Sequence, residues 1–196
     1  MGTAIRRDHL ILLAVNLALI LGFGTLFVVR RNYEFMLYVG VIVVFLCLIA
    51  STRNKVCYGL DTLVGLTIWA GLHLAGGGIV VGDGRLYDVI LIPLSQTYPI
   101  LRFDQVVHVW GFGVATLVMA DLIRPVLPRP WSRPVAISVV VVMAGLGVGA
   151  FNEIVEFAVT VIVPQSGVGG YLNTSLDLCS NLVGALVALA YIRARR

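Results

Sequence analysis

The sequence predicts an all-α, polytopic integral membrane protein of six transmembrane helices with both termini cytoplasmic, and three observations carry that prediction. The first is composition. Of 196 residues, 59% are hydrophobic and 12% are charged, with a mean hydropathy of +0.98, far from the balance of a soluble domain. The second is a set of six apolar windows that meet or approach the ~20 residues needed to cross a hydrocarbon core of ~30 Å. The third is where the basic residues fall between those windows.

The windows are His9–Val29, Phe35–Ser51, Leu60–Val81, Asp104–Ile123, Pro134–Val163 and Thr174–Ile192. Arg6 and Arg7 before the first could open a secretory signal. However, the run is longer than a signal core, lacks a small-x-small cleavage site and ends on Arg30-Arg31, so it reads as an uncleaved span. Arg6 also stands where a myristoylation signal wants Ser or Thr. The fifth window is too long to lie wholly in lipid, which places Pro134 at the interface in a first helical turn. Gly65, Gly71, Gly145, Gly149 and Gly184 suit close helix contacts. No repeat divides the chain, so residues 1–196 are read as one helical-bundle domain.

With a cytoplasmic N-terminus, the inner loops and tails carry Arg6, Arg7, Arg53, Lys55, Arg124, Arg129, Arg133, Arg193, Arg195 and Arg196. The outer ones carry only Arg30, Arg31, Arg85 and Arg102. That asymmetry sets the orientation. It also accounts for the net charge of +4 without a nucleic-acid partner, because no basic face forms. The expected setting is a membrane crossed several times, with both termini on its cytoplasmic side. Trp131 in the stiff connector RPVLPRPWSRP is expected at its inner interface.

The long connection Gly82–Phe103 holds a VILIPL core too short to span, with Pro93 and Pro99 breaking helix. It is expected to be interfacial or partly re-entrant, anchored by Tyr87, Tyr98 and Phe103. A plain amphipathic tether fits it equally well.

Function is read from the polar residues. A charged side chain near the bilayer centre costs ~2.5–3.5 kcal/mol on insertion scales, so it calls for a partner or a task. At ~1.5 Å of rise per residue, His73, Asp104, His108, Glu153, Glu156, Asp177 and Asn181 all fall in the outer half of four different spans. Asp104 and His108 are i,i+4, Glu153 and Glu156 are i,i+3, and Asp177 and Asn181 are i,i+4, with Gly184 on the same face. These faces should turn from lipid toward one pocket open to the outer surface, with Arg102 at its rim. Four carboxylates cannot all stay ionised in low dielectric, so protons, a protonated histidine or a bound cation must compensate. His73 and His108 with Asp104 and Asp177 make a ligand set compatible with Zn²⁺ or another divalent metal, although no HExxH-type spacing is present.

These residues resemble a known pattern. FDQVVHVWGFG, NEIVEF and NTSLDLCSNLVGAL, in that order, are similar to the D-x-x-x-H, E-x-x-[EQ] and S-x-x-D-x-x-x-N-x-x-G-A elements of VanZ-like membrane proteins. With Trp69 and His73 as a W-x-x-x-H element, the chain looks closer to the uncharacterised YjdF-like inner-membrane family, over about residues 60–190. The resemblance implies a small helical membrane protein of the cell envelope and, for the VanZ-like branch, a link to glycopeptide-antibiotic tolerance. It singles out His73, Asp104, His108, Glu153, Glu156, Asp177 and Asn181. Glu156 stands where VanZ-like proteins carry Gln, and their Arg before the final Asp is absent, which leaves this pocket more acidic.

Three functions fit. One is an envelope enzyme in which Glu153, Glu156, Asp177 and His108 act as acid, base or metal ligand, with Asn181, Arg102 and Asp104 binding a lipid-linked or amphiphilic substrate. Another is a non-enzymatic protein that binds a ligand, cation or proton. The third is a polar lock of the bundle, which at ~0.6 kcal/mol per interhelical hydrogen bond is poor return for burying four carboxylates. Membrane lipids are the expected surroundings, and the oligomeric state is left open. Asn16, in the otherwise apolar inner half, reads as a helix contact.

Overall fold

A computed structural model describes residues 7–127, 133–162 and 170–195. The expectations for Arg6, Arg129, Trp131, Val163 and Arg196 lie outside the described residues. The described chain is all-α apart from one small hairpin. Its helices are α1 (Arg7–Val29), α2 (Tyr33–Thr52), α3 (Leu60–Gly78), α4 (Phe103–Ile123), α5 (Pro134–Ile162) and α6 (Tyr171–Ala194). Pro134 occupies the first turn of α5, where its missing N–H costs nothing.

Five of these helices, α1, α2, α4, α5 and α6, are long and apolar enough to cross a membrane. The third window is thereby corrected. Its helix stops at Gly78, and Val80–Val81 forms a strand β1 instead, paired with β2 (Gly84–Arg85). Gly82, at φ +59°, makes the two-residue turn between them. What remains of the window is diluted by glycine, threonine and His73. Such a composition suits α3, which is enclosed by α1, α2 and α4 and needs few lipid-facing side chains.

The three glycines ending α3 serve aromatic packing rather than backbone approach. A side chain on Gly77 would strike the Phe35 ring, one on Gly76 the Tyr87 ring, and one on Gly78 the Phe23 ring. Phe27, Phe35, Tyr38, Ile42, Ala70 and Leu74 form the buried apolar core here. Arg30 donates to the Gly78 carbonyl at 2.7 Å, so an arginine read for orientation also caps the C-terminus of α3. Asn16 behaves as expected: its amide donates to Thr67 Oγ1 of α3 at 2.7 Å.

The closest helix pair is α4 with α6. Gly184 lies against the Val109 carbonyl and Gly113, so any larger residue there would meet backbone. The face Asp177, Asn181, Gly184, Ala185, Ala188 of α6 is buried, as the i,i+4 spacing requires.

Candidate functional site

The close approach of α4 and α6 brings His108 against α6, and α5 closes the third side. His108 is buried and becomes the hub of the site. Its Nδ1 lies 3.0 Å from Asn181 Oδ1, an oxygen that can only accept, so Nδ1 donates to it and Nε2 faces the other way. On the Nε2 side, Asp104 Oδ1 stands at 3.6 Å and Glu156 Oε1 at 3.9 Å. Glu153 Oε1 stands 3.9 Å from Nδ1. Donor atoms of Asp104, His108 and Asp177 lie within 4.8 Å of one another, and so do those of His108, Glu153 and Glu156. Ligands of a tetrahedral zinc sit roughly 3.3–3.5 Å apart, given bonds of ~2.0–2.1 Å, so small side-chain movements would close either set on an ion.

Asparagines hold two of the carboxylates: Asn152 donates to Glu156 Oε1 at 2.7 Å, and Asn173 donates to Asp177 Oδ2. The other oxygens are left over. Asp177 Oδ1, both oxygens of Glu153 and the Asn181 amide nitrogen are buried without a hydrogen-bond partner among the described residues, with Asn152 and Thr174 the polar neighbours of Glu153. Burying an acceptor unpaired costs ~1–3 kcal/mol, and more for a charged group. Several in one place mark a site built for something else to fill.

Asp104, His108, Glu153, Glu156, Asp177 and Asn181 are thus brought together, and Arg102 joins them at the edge of the adjoining cavity of about 80 Å³. His73 lines that cavity but belongs to neither ligand group. It is stacked on Trp69 with ring centroids 5.4 Å apart, edge-on to Tyr38, and its Nδ1 shares a hydrogen bond with the Tyr87 hydroxyl. Tyr87 therefore departs from the expected interfacial anchor. It turns inward onto His73 and Phe35, and burial pushes its hydroxyl well above the ordinary tyrosine range, so it keeps its proton. Tyr98 is exposed.

Sequence reasoning missed several groups. Glu34, buried at the start of α2, forms a two-pronged ion pair with Arg85 at 2.8 and 3.3 Å and ties the hairpin to the bundle. Their separation of 51 residues gives no local signal. Asn152 and Asn173 could have been found, since each is one turn from a site carboxylate. The half of the bundle away from the site, read as apolar apart from Asn16, also holds a buried carboxylate. Asp121 is buried near the far end of α4, accepting from Gly59 N at 3.0 Å and Thr62 Oγ1 at 2.9 Å.

A chain with long apolar helices gathered around buried polar residues defines a multi-pass membrane protein. The chain belongs to the family described as Predicted membrane protein (DUF2238), which matches residues 9–196. No curated protein and no solved structure gives a match.

Proposed function

We propose that the site is a divalent-metal centre of a six-helix envelope protein, in which metal-activated water is used on a lipid-linked or amphiphilic substrate. His108 Nε2, Asp104 and Asp177 hold the ion, and Asn181 fixes the histidine tautomer, as second-shell groups do. Glu156 and Glu153 serve as acid and base. One imidazole among carboxylates suits zinc, manganese or iron. His73, outside the ligand set, acts as a polar wall of the cavity. In this reading α3 is the sixth span, both termini are cytoplasmic, the site opens to the outer side of a prokaryotic inner membrane, and residues 1–196 form one domain. Kinship with YjdF-like and VanZ-like proteins is part of the same proposal.

The observation that carries it is the cluster of buried oxygens on Glu153 and Asp177 around His108 that meet no donor at hydrogen-bonding geometry among the described residues. A polar lock would leave these atoms paired. A non-catalytic cation- or proton-binding role is the second reading, favoured by the separations of 3.6 and 3.9 Å between His108 and its carboxylates, which an imidazolium would satisfy without metal.

The test is to strip the detergent-purified protein with chelator and reload it with Zn²⁺ or Mn²⁺. At 100 times the dissociation constant, binding adds ~2.7 kcal/mol, or roughly 5–10 °C in Tm for a chain of this length. A rise of that size in the wild type, lost in D177N, supports the metal centre. No rise with either ion, in protein that unfolds cooperatively, contradicts it.

A further inference from the structure

The cavity beside the cluster is lined by groups of both signs: Asp104, His108 and Glu156 of the cluster, and Arg85 and Arg102, with Glu34 and Asp88 beside them. Arg85 is already neutralised by Glu34. Arg102 is different: Asp104 and Asp177 are its acidic neighbours, but its Nε is buried without a hydrogen-bond partner among the described residues. The backbone around it is built with care. Leu101 is held at φ +65°, a conformation bulky side chains avoid, and Gln105 Oε1 accepts from the amides of both Leu101 and Arg102 at 2.6 and 3.2 Å. A guanidinium Nε–H left without an acceptor among the described residues, on a backbone held in place, fits a planar or tetrahedral oxyanion.

The next feature in space is apolar. Ile90 bridges to Arg102, and Leu91 N donates to the Leu101 carbonyl at 2.9 Å, so the strip Ile90–Leu94 is fastened beside Arg102. Ile90, Leu91, Ile92 and Leu94 are all about half exposed. Inside the cavity there is room for a group the size of a few waters, not for a bulky molecule.

We infer that the site takes an amphiphile with a phosphate headgroup, its phosphate between Arg102 and the metal-ligand cluster and its hydrocarbon tail along Ile90–Leu94. This rests on the metal-centre reading above and names the substrate class for it. The shared chemistry is a phosphate oxyanion, which a lipid or free phosphate could supply, and the tail strip favours the lipid.

The experiment is calorimetric titration of manganese-loaded protein in detergent with three probes: dioctanoyl phosphatidic acid, dioctanoylglycerol and inorganic phosphate. Metal content is measured on every sample. The phosphatidic acid should bind at least about tenfold more tightly than either of the others. R102A should lose about tenfold or more of that affinity, the worth of one charge-assisted hydrogen bond, while keeping its metal. I92S/L94S, altered at exposed positions, should lose the advantage of the lipid over inorganic phosphate and nothing else. If R102A does not fold, R102K, which keeps charge without the fork, should still show weakened binding. Equal binding of phosphatidic acid and dioctanoylglycerol, unaffected at position 102, would overturn the inference with the metal centre intact. Inorganic phosphate binding as tightly as the lipid would overturn the tail strip and assign the site to free phosphate. Binding of phosphatidic acid that depends on Arg102 in protein holding no metal would sink the metal reading and leave headgroup recognition standing.

Discussion

At the end of the bundle where α3 begins and α4 finishes, Asp121 is buried but fully supplied. It accepts from Gly59 N and Thr62 Oγ1 and lies 3.6 Å from Arg124. Close by, Arg195 and Tyr191 pair with Asp61, and Arg193 donates to Ser138 Oγ at 3.0 Å. About 20 Å away along α4, carboxylates converge on one histidine and keep oxygens with no donor among the described residues. A buried carboxylate is satisfied at one end of the bundle, while at the other Glu153 of α5 and Asp177 of α6 keep oxygens unmatched. Burial alone therefore does not mark a functional carboxylate; the missing partner does.

That comparison can be broken by substitution, and the largest effect belongs to the hub. H108A should lower bound metal below about a tenth of the wild-type content, because both ligand groups share this residue; elemental analysis reads it. N173A should weaken metal affinity by about 10–100-fold, since it removes only the group orienting Asp177, as a chelator-competition titration would measure. D121A inverts the pattern: it should cost ~1–3 kcal/mol of stability, by leaving Thr62 and the Gly59 amide short of an acceptor, with metal content unchanged. Loss of metal in D121A would mean that the two ends are not independent. D61N should be the mildest, at ~0.2–1 kcal/mol, because its pair with Arg195 is half in solvent.

The helices were legible because hydropathy needs no knowledge of neighbours; each window lies within a few residues of its helix. The third failed at its end because Gly76–Gly78 and the following Ile79–Val81 are apolar in any conformation, and nothing in their hydropathy says that the helix stops at Gly78 and a hairpin follows. In the site, i,i+3 and i,i+4 spacing with shared depth was enough to unite Asp104, His108, Glu153, Glu156, Asp177 and Asn181. It could not separate His73 from them. His73 shares their depth, but its surroundings come from Tyr87, on a non-helical segment whose fold no periodicity describes. Glu34 and Arg85 stayed invisible for the same reason.

The most direct measurement is metal stoichiometry in protein purified in mild detergent without chelator, beside H108A and D177N preparations that unfold cooperatively. The metal-centre account predicts near one equivalent of zinc, manganese or iron per chain in the wild type and almost none in either variant. A wild-type protein that holds no metal, even after incubation with these ions, would contradict it.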